Sequence, residues 1–380
     1  MRFQFAWLFL VAGCGRIGFD ADPANIDPAD RTDLVVTVTE DRLTSATITS
    51  PEDLPDGSGL SLREALAIAA NRPGPDLVAF DRAFSVATPP TITIASELVV
   101  GGDTTLDAFA RGVVIAPAAG FSGALLRVAG DGAVVDGLAF RGGTPAIAAT
   151  GATGFAIRHV TIASATGDGI RLDNCRSGIV EDGRIEQPGG TPVGLVDSTD
   201  VVVRRLFVAL NAKVGPVRGV EVVGGLRIQL HDNLIDPGEA FLVSIEASVD
   251  TELIGNILDR GDTGIAILGG SQRTVLSRNV VVSPLYDSVY IAGGVTDTTI
   301  THTTFFMASA PVDSGTNTKV ENSLLSTAAG DFVDAAGYDF HLVAGSPAID
   351  AATDLGLDLL PGLSARYLGA APDLGAVESY

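Results

Sequence analysis

FLVSIEASVDTELIGNILDRGDTGIAILGGSQRTVLSRNVVV, residues 241–282, holds two successive units of one design. The first contains the β-type runs LVSIE, TELI and NIL, the second GIAIL, TVLS and NVVV, and Gly, Asp, Asn or Ser separates them. Apolar residues alternate with period two inside each run, and no window sustains a helical stripe. The last apolar residues of GNIL and RNVV, Leu258 and Val281, mark one position that recurs at Phe140, Ile162, Ile185, Val208, Ile235, Phe305 and Leu324. In chain order, successive anchors are 22, 23, 23, 27, 23, 23, 24 and 19 residues apart. A period near 23 is too short for paired-helix repeats, and three strands per turn predict an all-β, right-handed parallel β-helix, a three-sheet solenoid. Upstream, TITI, ELVV, TTLD, GVVI, LLRV and AVVD add two coils, for about ten coils and about 50 Å at the inter-strand spacing.

Two finer rows accompany the anchor. Asn233, Asn256, Asn279 and Asn322 lie two residues before it. Stacked Asn at a bend between sheets can bond its neighbours through the amide and tolerates the left-handed backbone a bend needs, so these four read as a structural ladder. One residue earlier run His159, Asp182, Arg205, Asp232, Gly255, Arg278, His302 and Glu321, in which acids and bases stacked at coil spacing would pair along the solenoid.

The chain ends read differently. An apolar run from Phe3 to Val11 follows Arg2 and closes on Ala12-Gly13-Cys14. It is too short to span a bilayer, so it reads as a signal peptide over residues 1–13. Residues 14–33 form an acidic Pro/Asp tether, residues 34–90 an N-terminal cap, residues 91–326 the β-helix and residues 327–380 a C-terminal module. Within the cap, LREALAIAAN is the one convincing helix, 62–71; Ser61 caps it with Glu64 three positions on, and Arg72-Pro73-Gly74 stops it. It would cover the open end of the first coil.

Val-Ala-Gly-Cys resembles the close of a bacterial lipoprotein signal, which implies that Cys14 becomes the lipid-modified first residue and that the membrane is a partner. Gly15 after it implies the outer membrane. DGSGLSLREALAIAANRPGPDLVAFD resembles the CSLREA motif of secreted β-helix proteins, with Gly59 or Leu60 in the Cys position. YDFHLVAGSPAIDAATDLGLD, followed by PDLGAVE, resembles the choice-of-anchor Q module. The solenoid between them is similar to the pectate-lyase (pectin lyase-like) superfamily. These resemblances imply an exported, lipid-anchored surface protein and name no reaction.

Composition narrows the partners. Lys+Arg 24 against Asp+Glu 46 gives −22, so the chain cannot neutralise phosphates and nucleic acid is excluded. At 46% apolar it is no disordered acidic tail. With Cys14 acylated, Cys175 is a lone thiol and no intramolecular disulfide forms.

Catalytic residues are not evident. The superfamily resemblance implies an Arg or Lys base with calcium-holding carboxylates for lyases, and neighbouring Asp residues with Gly-His-Gly for glycosidases. GDGIRLDN carries Asp168 and Asp173, yet the chain has no Gly-His-Gly. His159 and His302 lie six coils apart, roughly 29 Å at the inter-strand spacing. His231, in a bend, and His341, in the C-terminal module, have no evident partner. Asp354, Gly356 and Asp358 suggest a calcium loop without its full pattern, and a turn reads better.

The candidate ligand face is the first strand of each coil. With Ile170, Val220, Val222, Val243, Ile245, Ile265, Ile267, Val289 and Ile291 inward, alternation turns Arg171, Asp173, Glu221, Ser244, Glu246 and Tyr290 outward. The carboxylates on adjacent coils could take calcium through hard oxygen ligands, and Tyr290 could stack on a sugar ring. No cofactor is required. The favoured function is a lipid-anchored cell-surface protein that binds or scaffolds, with a carbohydrate as ligand, and does not catalyse. The alternative is a carbohydrate-active enzyme on an acidic polysaccharide, against which the charge of −22 repels polyuronates unless calcium bridges them.

Overall fold

The computed structural model describes residues 32–55, 57–209, 218–236, 241–326, 332–334, 338–352 and 369–375. Cys14, the signal, most of the tether and the loop Asp354, Gly356, Asp358 lie outside the described residues.

Three parallel sheets of twelve, ten and eleven strands wind around one core, with each strand paired to its counterparts one coil before and one coil after. This is a right-handed parallel β-helix of about ten coils. Strands of mostly three or four residues suffice, because each needs only one or two inward side chains to fill the lumen. In the eleven-stranded sheet the inward file is Phe140, Ile162, Ile185, Val208, Ile235, Leu258, Val281 and Phe305, all at most 2% exposed. In the ten-stranded sheet it includes Ile170, Val193, Val220, Val243, Ile265 and Val289. Stacking converts isolated apolar residues into continuous stripes of buried surface.

From residue 159 onward, a left-handed residue makes each bend from the twelve-stranded to the eleven-stranded sheet. These are His159, Asp182, Arg205, Asp232, Gly255, Arg278, His302 and Asn322, with φ between +47° and +69°. The Asn ladder lies one residue later and points inward. Asn233 Nδ2 donates to Asn256 Oδ1 and Asn256 Nδ2 to Asn279 Oδ1, both at 2.9 Å, while each Oδ1 also accepts a backbone N–H from the preceding coil.

Asn322 is a correction. Thr301 pairs Glu321 and Phe305 pairs Leu325, so Asn322 falls beside His302 in the left-handed row. The ladder position is Ser323, whose Oγ accepts from Thr303 N at 3.3 Å. The last anchor is Leu325; the apolar doublet Leu324-Leu325 conceals the shift.

The helix α1 spans Leu62–Asn71 with Ser61 as N-cap and a reciprocal Ser61–Glu64 capping box. Leu62, Ala65, Leu66, Ile68 and Ala69 join the solenoid core, so α1 closes its first end. The cap also supplies sheet: Thr32–Val36 pairs Asp76–Phe80, which pairs Thr104–Asp107. The twelve-stranded sheet therefore begins at residue 32, before both the cap boundary at 34 and the β-helix boundary at 91.

At the other end the C-terminal module lies on the side of the solenoid. Phe340, Leu342, Ala348, Ala352 and Leu374 bury a second core against Val280, Val282 and Phe306, outward residues of the eleven-stranded sheet. Gly375 N donates to the His302 carbonyl at 3.2 Å and Arg278 Nη1 to the Asp373 carbonyl at 3.1 Å.

Candidate functional site: an outward sheet face of paired charges

The register sorts the candidate face into two files. Arg171, Gly194, Glu221, Ser244, Ala266 and Tyr290 stack in one, and Asp173, Val196, Val223, Glu246 and Leu268 in the other. Asp173 and Glu246 thus share a file but stand three coils apart, and Glu221 lies in the other file. The expected row of carboxylates on adjacent coils does not assemble, because side chains two residues apart along a strand enter different files.

Cations on the same face occupy two of those carboxylates. Arg171 Nε bonds Asp173 Oδ1 at 2.8 Å, and its Nη1 lies 3.7 Å from Asp168 Oδ2. Arg171 leans across the next coil because that position is Gly194; a Cβ there would stand 3.3 Å from its Nη1. Arg218 pairs Glu221. Ser244 corrects the expectation differently: it pleats outward but is fully buried, and its Oγ has no hydrogen-bond partner among the described residues. Tyr290 remains partly exposed, on the coil that also carries the exposed Leu285 and Tyr286. Among the described residues, no group of three or more His, Cys, Asp or Glu is placed to hold a metal.

The charged row at the bends pairs along the axis over its first three members, His159, Asp182 and Arg205, while further along Arg278 turns to the Asp373 carbonyl and His302 to Thr301. His159 Nδ1 meets Asp136 Oδ1 at 2.7 Å, and this hydrogen bond raises the imidazole pKa. Arg205 bonds Asp182 at 2.6 and 2.7 Å and reaches Glu181, which Arg204 also contacts. Burial lifts the Asp182 carboxyl, but Arg205 outweighs it and holds the group below the usual range. A second ladder runs along the far edge of the twelve-stranded sheet: Arg227 bonds Asp200, Arg273 bonds Asp250 and Asn317 bonds Asp297. Its sequence signal is the recurrence of Asp200, Arg227, Asp250, Arg273 and Asp297 at the anchor separations.

The other histidines are placed as follows. His231 closes the strand Gln229–His231 rather than sitting in a bend, and burial lowers its pKa. His302 Nδ1 lies 2.8 Å from Thr301 Oγ1. His341 has a partner the sequence did not reveal, Asp339, at 2.6 Å. Cys175 is buried in a polar bend file, where its N–H donates to Ser198 Oγ at 3.2 Å; burial raises its thiol pKa.

One cluster has no counterpart in the sequence pattern. Asp236 and Asp259 face outward at the ends of adjacent strands and share the guanidinium of Arg260, at 3.1 and 2.7 Å. Tyr338, from the C-terminal module, donates to Asp236 and packs edge-on to Phe207. Burial pushes the Asp259 carboxyl up against the pull of Arg260, and burial with the Asp236 bond pushes the Tyr338 phenol up to about 12. No sequence period could reveal it, since Tyr338 is outside the repeat.

A family model described as "Right handed beta helix region" matches residues 145–305. No curated protein matches the chain. Among solved structures, pectate lyase Pel9A is similar at 15% identity and TM-score 0.49, over 92% of this chain and 97% of that one. An alginate lyase from Paenibacillus sp. str. FPU-7 is similar at 14% identity and TM-score 0.43, over 78% and 98%. PfbA, a surface adhesin of Streptococcus pneumoniae, is similar at 9% identity and TM-score 0.44, over 70% and 84%. The matched family region and the strand register agree on the architecture: the chain is a right-handed parallel β-helix.

Proposed function

We propose that the protein is an exported surface β-helix, anchored by lipid at Cys14, that binds or scaffolds without catalysis. The observation that carries the reading is the mutual pairing of acid and base on the outward face, Arg171 with Asp173 and Arg218 with Glu221. A base engaged by a carboxylate is a poor proton acceptor, whereas paired charges on an exposed face keep free lone pairs and N–H groups with which to bond the hydroxyls of an extended ligand. Tyr290 supplies a ring for stacking on a sugar. Calcium has a role in this reading only where it displaces an arginine from Asp173 or Glu221, so calcium dependence should be weak. A glycan array with and without calcium, followed by a product assay on each hit, tests the binding. The anchor has its own test: detergent-phase partitioning should vanish in Cys14→Ser, and persistence would reject lipidation there.

A specific observation supports the second reading, a carbohydrate-active enzyme. Asp236 and Asp259 on neighbouring coils, one with a raised pKa, present the acid and base pairing that glycoside hydrolysis uses. Their shared Arg260 and low exposure argue for a structural clasp instead. Turnover lost in both Asp236→Asn and Asp259→Asn, with folding intact, would favour the enzyme.

A further inference from the structure

The two ends of the solenoid are finished differently. Helix α1 closes the first end, but the last strands of the three sheets, Val312–Asp313, Lys319–Glu321 and Leu324–Ser326, have no described strand beyond them. Val320 continues the inward file of Ile300 and is 52% exposed, and Leu325 continues that of Phe305 and is 48% exposed. Their predecessors Ile300 and Phe305 are at most 2% exposed, so the core stripes run open to this end. The described C-terminal module packs on the side of the eleven-stranded sheet and leaves this rung uncovered.

We propose that the last rung is an interface for a second copy of this chain, joined end to end across a two-fold axis through Val320. The edge strand is self-complementary. Lys319-Val320-Glu321, exposed along its length, set antiparallel against itself opposes Lys319 to Glu321 twice and Val320 to Val320 once. A two-fold contact is isologous and closes on itself, and α1 blocks the opposite end, so the product is a dimer rather than a fibre.

The third inward file limits how the copies meet. There Asp313 replaces the aliphatic residue, and its carboxylate accepts from Gly315 N at 2.8 Å and Thr318 Oγ1 at 3.1 Å. An inward-facing carboxylate blunts that edge. Pairing is thereby confined to the Lys319–Glu321 side.

Sedimentation equilibrium across the micromolar range tests this, using the full chain with Cys14→Ser to exclude lipid-driven aggregation. A monomer–dimer equilibrium is expected. Lys319→Glu and Glu321→Lys should each weaken it about tenfold or more, since each replaces two attractive pairs by two repulsive ones, and the double variant should restore it. Val320→Asp should abolish the dimer without lowering the monomer's Tm. A monomer at all concentrations overturns the proposal, as does a dimer indifferent to the charge swaps. A monomer whose Tm falls in Val320→Asp also overturns it, by showing that the chain's own residues cover the rung.

Discussion

Asn256 shows how a single side chain supports this fold. Its amide bonds Asn279 on the next coil and the Leu230 carbonyl, and its Oδ1 receives two bonds from Asn233. Removing it leaves buried donors and acceptors unsatisfied on the coils before and after it, at about 1–3 kcal/mol per group before relaxation. Asn322, exposed at the last rung, should matter much less. Asn256→Ala should therefore lower the urea midpoint several times more than Asn322→Ala, and equal effects would contradict the register that sets Asn322 beside His302. Recurrence at fixed separation revealed Asn233, Asn256 and Asn279 in the sequence. It failed at Asn322 because the final coil shortens where two leucines adjoin. The fate of outward residues was harder to read. Period two assigns a side, yet it cannot show that Ser244 is buried, that Gly194 admits Arg171, or that Asp173 and Glu221 enter different files.

At the scale of elements, the cap turns on one carboxylate. Glu64 is fully buried in α1 and accepts from Arg42, Thr44 and Ser61. Burial alone would raise its pKa, but these donors outweigh it and bring the value down to about 2. Next to it, Arg63 ties α1 to Asp41 and to the carbonyls of Ser96 and Glu97 ahead of the strand Leu98–Val100. The SLREA letters thus have physical roles: Ser61 caps, Leu62 fills, Arg63 ties and Glu64 anchors. A carboxyl with a folded-state pKa below its unfolded value contributes stability above the unfolded value, and loses it as pH falls toward the folded one. Stability should therefore decline between about pH 4.5 and 2, and Glu64→Gln should flatten that decline while costing about 3 kcal/mol at neutral pH. An unchanged acid profile in the variant would contradict this role. The helix and its cap were legible because capping is local in sequence; the Arg42 partner was not, since 22 residues separate the pair.

Across the whole molecule, the histidines and the outward carboxylates make different contributions. His159, His231 and His302 are dispersed along the solenoid and His341 lies in the module on its side, each bonded or buried in a local setting of its own, so they do not form one catalytic group. Once a ligand is in hand, a Glu221→Gln, Glu246→Gln double variant should weaken its binding, and the four single His→Gln variants should leave it unchanged. Loss of binding in a His variant, with the double variant unaffected, would move the site off the first-strand face. The coil count and the sheet count could be read from the repeat, and the capped end from the local signals of the helix. The lateral seat of the C-terminal module could not, because the apolar outward residues Val280, Val282 and Phe306 look like core in a sequence that gives no sign of what lies outside the wall.

Binding without turnover stands or falls with product analysis on glycan-array hits. The bound glycan should be recovered intact after prolonged incubation, with or without calcium. Shortened or unsaturated products that disappear in Asp236→Asn and Asp259→Asn would overturn the binding reading and establish an enzyme.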